Sequence, residues 1–230
     1  MVARRLAALV VFACVPGFCQ SDDLKVGKFL VASRDLGDPN FAQTVILLVH
    51  YSEDQGSVGL VVNRRTEVPI SRVFQDLKEA KNHSDPVYVG GPVELNSVMA
   101  LLKTASKLEN STRVFGDVYL ISNKDVLKAT LGAGAESSVF HAYVGYAGWG
   151  AGQLEHEVEL GAWHIMPADA ATVFHTDPES VWPRLIRRTE TQVARGQTAP
   201  EALWFGLGNE ATIFYRPFTK NASTVYSELK

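Results

Sequence analysis

Two cysteines are all that this 230-residue chain contains, Cys14 and Cys19, and both fall within its first 20 residues. If that stretch is removed after Cys19, the mature chain has no disulfide, no thiol nucleophile and no cysteine-based metal site. Long apolar runs are scarce too: after the first 20 residues nothing approaches the roughly 18 residues that a membrane-spanning helix needs. Basic runs are absent. The only close pairs, Arg64-Arg65 and Arg187-Arg188, have no interleaved aromatics, and 22 Lys+Arg against 25 Asp+Glu give a net charge of −3. That balance lacks the electrostatic footprint of a nucleic-acid binder. The six histidines, His50, His83, His141, His156, His164 and His175, include no two that are three to five positions apart. The H-E-x-x-H zinc pattern is therefore missing. No glycine-rich loop ends in Lys-Ser or Lys-Thr, and Gly56-Ser57-Val58-Gly59 misses the G-x-S-x-G spacing. A triad assembled across the fold would leave no such signature. No cofactor and no metal are expected.

What the chain does have begins at its N-terminus. Arg4 and Arg5 precede Leu6–Val15 (LAALVVFACV), ten uncharged apolar residues, followed by Pro16 and Gly17. This is the layout of a secretory signal peptide, with Gly17 and Cys19 as small residues before a cut at Gln20. A lipoprotein cut before Cys14 is the alternative. The expected organisation is a signal peptide over 1–19, a domain over 20–188 and an extension over 189–230 that docks on the domain. Removal of the leader takes away two arginines, so the charge becomes −5. The mature protein is expected to be exported, in the periplasm or cell envelope, with no transmembrane span.

Hydrophobic patterning then reads as mixed strand and helix. Residues 44–51 (TVILLVHY) form a β-branched, nearly continuous apolar run, which predicts a strand buried on both faces. Residues 57–63 (SVGLVVN) pair with it as a hairpin. Further strands are predicted at 28–33, 86–89, 97–103, 117–122, 138–146 and 162–166. Ile70, Val73, Phe74 and Leu77 recur at helical spacing. Asn123 is a candidate N-cap for a helix over 124–131, which stops at Gly132 and Gly134. More helices are predicted at 153–159, 168–174 and 178–188. Strands and helices do not alternate strictly, which argues for an α+β fold with a mixed sheet.

Four segments stand out. They are the turn Gly37-Asp38-Pro39-Asn40-Phe41, the strand end Gly59-Leu60-Val61-Val62-Asn63, Gly90-Gly91-Pro92-Val93, and Gly145-Tyr146-Ala147-Gly148-Trp149 with Gly152-Gln153-Leu154-Glu155, followed by Trp163. In this order and spacing they resemble the YqgE/AlgH family over about residues 24–188. The resemblance implies an α+β fold with a bent mixed β-sheet, partly barrel-like, flanked by helices. It implies no settled activity, although members are often labelled transcriptional regulators. The chain departs from the family pattern in its signal peptide, in Arg65 where a proline is common, and in Leu102 where a histidine is usual.

The glycines at 145, 148, 150 and 152 allow close approach of backbone or ligand, and Trp149 reads as a plug in the core beside Trp163. Glu155, His156, Glu157 and Glu159 read as an acidic, solvated helix face. Asn63, Gly90, Gly91, Tyr146, Trp149, Gln153 and Glu155 are the candidate ligand-binding residues, on the expectation that their segments converge on one groove. The chain is thus expected to be an exported binding or regulatory module, its partner an unknown small molecule or envelope protein. A hydrolase with a dispersed site and a transcriptional regulator are the alternatives.

Overall fold

A computed structural model describes residues 23–196. Ten strands make one strongly curled sheet in the order β10-β1-β2-β3-β9-β6-β8-β7, with β4 and β5 attached beside β9. The strands are β1 (Lys28–Ala32), β2 (Val45–His50), β3 (Ser57–Val61), β4 (Arg65–Pro69), β5 (Pro86–Val89), β6 (Val93–Lys103), β7 (Thr112–Phe115), β8 (Val118–Ile121), β9 (Phe140–Trp149) and β10 (Trp163–Pro167). The curl makes a half-barrel flanked by helices. Its pairings are antiparallel except for β5 on β9, so the sheet is mixed.

β9 organises the sheet. One of its edges carries β6 along most of its length. The other edge carries β5 at Tyr143 and Val144, then β3 from Ala147 to Trp149. The exchange of partners falls at Gly145, whose φ of +67° suits glycine. A Cβ there would come 2.5 Å from the Gly91 carbonyl oxygen, and one on Gly90 would lie 2.3 Å from the Gly145 carbonyl oxygen. These glycines let two backbones cross.

Alternation along the strands sorts side chains to two sides. Leu30, Ile46, Leu48, Leu60, Met99, Leu101 and Tyr143 fill the main core with Trp149 and Trp163. Val87, Ala100, Ile121, Phe140 and Ala142 face a second cluster, covered by Ile70, Leu127 and Leu131. As expected, Val45 to Val49 are almost completely buried. The helix α2 (Lys124–Gly132) begins at the predicted cap: Asn123 Oδ1 accepts from the Asp125 and Val126 amides at 2.9 and 3.1 Å. α3 (Gln153–Glu159) also has the predicted bounds.

Other elements differ from the sequence reading. The helix expected through Leu77 is a single turn, α1 (Ile70–Val73), which has no side-chain cap and leaves helical backbone at Phe74. Leu77 still reaches the same cluster through a turn, so the apolar spacing is preserved without the helix. α4 (Ala170–Val173) starts late because Asp169 caps it, accepting from the Thr172 amide and hydroxyl. α5 (Val181–Gly196) runs on past Arg188 and anchors to β1 through Trp182 Nε1, which donates to the Ala32 carbonyl at 2.8 Å. β4 and β7 escape the sequence reading because they are short and mostly exposed, with little apolar pattern. The expectations for the leader and for residues 197–230 lie outside the described residues.

Candidate functional site

Two sequence-distant motif segments meet around Trp149. Phe41, from the Gly37–Phe41 turn, stacks on Trp149 at 6.2 Å and meets Trp163 edge-on at 5.8 Å. The two indoles, both buried as predicted, cross at 82° with centroids 6.1 Å apart. Both indole N–H groups donate to one oxygen of Glu157, at 2.9 Å from Trp149 and 2.8 Å from Trp163. The other oxygen accepts from Gln153 Nε2 at 3.0 Å, and Gln153 Oε1 accepts from the Gly150 amide at 3.1 Å. Glu157 therefore leaves the solvated acidic face expected for it and becomes the acceptor that buried tryptophans require. The only signal was the need of two buried N–H groups for a nearby carboxylate. Trp149, Gln153, Glu157, Asp38 and Phe41 line a cavity of about 10 Å³, room for one water at most.

The remaining candidates lie around this node rather than in that cavity. Asn63 Oδ1 accepts from the Val45 amide at 2.8 Å, and its Nδ2 donates to the Gln43 carbonyl at 3.0 Å, so its side chain stitches β2 to the strand end. Next to it, Arg64 donates to the Asn40 carbonyl and clamps the motif turn. Gly90 and Gly91 lie against Gly145 and Tyr146, backbone to backbone. Glu155, in the first turn of α3, lies by Tyr51. Burial first, then the hydrogen bond and charge of Glu155, push the Tyr51 phenol up to about 12. Glu155 Oε1 is buried without a hydrogen-bond partner in the protein.

A second buried group lies on β5 and β9. The His141 ring stacks on Tyr88 at 4.3 Å and meets Phe174 at 5.1 Å, while Tyr88 and Tyr143 are 5.5 Å apart. The Tyr88 hydroxyl is a long 3.4 Å from His141 Nε2, and His141 Nδ1 and the Tyr143 hydroxyl have no hydrogen-bond partner in the protein. Burial pulls the His141 imidazole down to about 4, against weaker opposing effects of the Ser137 backbone and the Asp85 charge. Burial likewise raises Tyr88 and holds Tyr143 well above the ordinary phenol range.

A broad concavity lies on the other side of the sheet. It is a groove of about 710 Å³ between α2, the end of β6 and residues 108–110. Leu102, Leu108, Val126 and Ala135 line it, half-buried and packed on the second core cluster. Ala129 and Ala133, one turn apart and exposed, keep the helix flank shallow. Lys103, Asn123 and Asp125 supply polar groups. Sequence reading missed this groove because its residues come from three elements and carry no motif. Among the described residues there is no group of three or more metal-ligating side chains, and no helix long and apolar enough to cross a membrane.

Comparison with known proteins places this architecture. The AlgH-like family model matches residues 29–194. A UPF0301 protein of Chlorobaculum tepidum is 32% identical over 179 residues, covering 77% of this chain and 94% of that protein. One from Azoarcus sp. strain BH72 is 36% identical over 155 residues, 66% of this chain and 81% of its own length. Among solved structures, the AlgH protein of Pseudomonas aeruginosa superposes with a TM-score of 0.58 at 30% identity, covering 84% of this chain and all of that one. Protein DIP2367 of Corynebacterium diphtheriae gives 0.57 at 25% identity, covering 73% and 91%. With the family pattern running through nearly the whole described domain, the chain belongs to the AlgH-like family.

Proposed function

We propose that this chain is an exported binding module, and that it takes an apolar or amphipathic ligand in the groove beside α2. The carrying observation is the groove itself. Its volume lies in the range of small-molecule and peptide sites, and its apolar floor carries a few polar groups at the rim. The motif residues support this reading from the other side. The polar groups of Asn63, Trp149 and Gln153 are taken up by partners within the fold, which suits a frame more than a reacting centre. Export rests on the leader, with its basic start and ten-residue apolar run.

One preparation from the native host tests both parts. Intact mass is expected to show a chain that starts near Gln20, and a chain that keeps Met1 or Val2 in the cytoplasm would overturn export. Titration of that protein with the amphipathic probe 1-anilinonaphthalene-8-sulfonate is expected to move the amide signals of Leu102, Val126 and Ala129. Shifts confined to the neighbourhood of Trp149 and Gln153 would move the site to the motif node.

A further inference from the structure

We infer that the groove beside α2 is a docking site for this chain's own residues 211–215 (ATIFY), with Phe214 and Tyr215 seated against Leu102, Leu108 and Val126. This rests on the reading of the groove as the binding surface and adds its regulation: an internal occupant that an outside ligand must displace.

Three observations carry it. The first is the unfilled apolar lining. Leu102, Leu108 and Val126 pack inward on the second core cluster, yet their outer sides border a groove large enough for two aromatic rings. The second is the composition of the chain beyond Gly196. Residues 197–215 contain no lysine or arginine, and they carry Trp204, Phe205, Ile213, Phe214 and Tyr215. Segments that stay solvated throughout are poor in aromatics and β-branched residues. The family match ends at residue 194, so these aromatics have no place within the shared fold. The third is reach. α5 lies on β1, and β1 is four sheet positions from β6, about 19 Å at the usual strand spacing of ~4.8 Å. The stretch from Gly196 to Phe214 can extend to about 60 Å at ~3.3 Å per residue. Residues 211–215 can therefore round the sheet with slack, whereas Trp204 has less than half that length.

The test uses the full chain with Cys14 and Cys19 replaced by serine and a nitroxide spin label on Ala129→Cys. The amide signals of Ile213, Phe214 and Tyr215 are expected to lose intensity, and to stay sharp when the label is moved to Leu160→Cys, an exposed position on α3's far end. In a second variant, Phe214→Ser with Tyr215→Ser, 1-anilinonaphthalene-8-sulfonate is expected to bind more tightly than to the unaltered chain, at the same groove signals. Sharp 211–215 signals with the Ala129 label, or broadening at Trp204 and Phe205 in their place, overturn the inference. If the probe maps to the groove with equal affinity in both chains, the self-docking reading falls and the groove remains the ligand site. If the probe avoids the groove even in the double-serine chain, the proposed binding surface falls with it.

Discussion

The main core holds two aromatic clusters of opposite electrical character. Around Glu157, two indole N–H groups share one carboxylate oxygen and a glutamine amide takes the other. Around His141, a histidine and two tyrosines are buried as deeply, yet His141 Nδ1 and the Tyr143 hydroxyl find no protein partner. The first cluster closes its polar account internally and can be buried at little cost. The second carries an uncompensated desolvation penalty that shows itself in the depressed basicity of His141. The difference arises from position. Glu157 sits on α3 between the two tryptophans in sequence and can swing an acceptor to both, whereas His141 is surrounded mainly by aromatic rings and a distant tyrosine hydroxyl, with the Ser137 backbone too weak to offset its burial.

The largest expected effect is at the satisfied cluster. Trp149→Ala removes a ring that stacks on Phe41 and crosses Trp163. It should cost about 3–5 kcal/mol in denaturant unfolding, the range for truncating a buried large aromatic. A loss below about 1 kcal/mol would mean that this node is not a keystone. The His141 effect comes next and depends on pH. The folded form binds its proton only near pH 4, while the unfolded chain takes one up near 6.5. The stability that neutral His141 contributes is therefore full above pH 6.5 and is lost as pH falls toward 4, by about 3 kcal/mol at most. In His141→Phe this part of the acid sensitivity should vanish, which unfolding curves at pH 7 and 4.5 would show as a smaller drop than in the parent. An equal drop in both would place the titrating group elsewhere. Glu157→Gln should have the smallest effect, about 1–2 kcal/mol, because one amide oxygen can still accept from both indoles, while the charge assistance is gone and the new amide nitrogen faces the donating Gln153 Nε2. A larger loss than that of Trp149→Ala would make the carboxylate, not the ring packing, the source of the node's stability.

Much of the frame was legible because burial leaves strong traces in sequence. The unbroken apolar run of β2, the cap at Asn123 and the span of α3 each follow from one local rule. The proximity of Trp149 and Trp163 was also readable, since a glycine-rich turn and a short helix leave little room between them. Glu157 was not readable. An acidic residue on an amphipathic helix reads as solvated until the helix's neighbours are known, and its seat is decided by two side chains on other elements. β4 and β7 left no trace because they are paired on an exposed margin, where backbone bonding, not side-chain burial, makes the strand. The groove was illegible for a further reason. Concavity is a property of how α2 lies on β6, and no residue in it is unusual by itself.

The change of partners at Gly145 also bears on the timing of folding. Ser57 pairs with Trp149 across more than 90 positions of sequence, and among the described strands β9 alone pairs with both the β1–β3 half of the sheet and the β6–β8 half. Pairings of such long range are slow, because loop closure must come before they contribute any stability. Until the ribosome has released residue 149, neither half can be sealed against the other. A chain that emerges over roughly 10–50 s at ~5–20 residues per second therefore stays open through most of its synthesis, the state in which a polypeptide can still be threaded through a narrow pore.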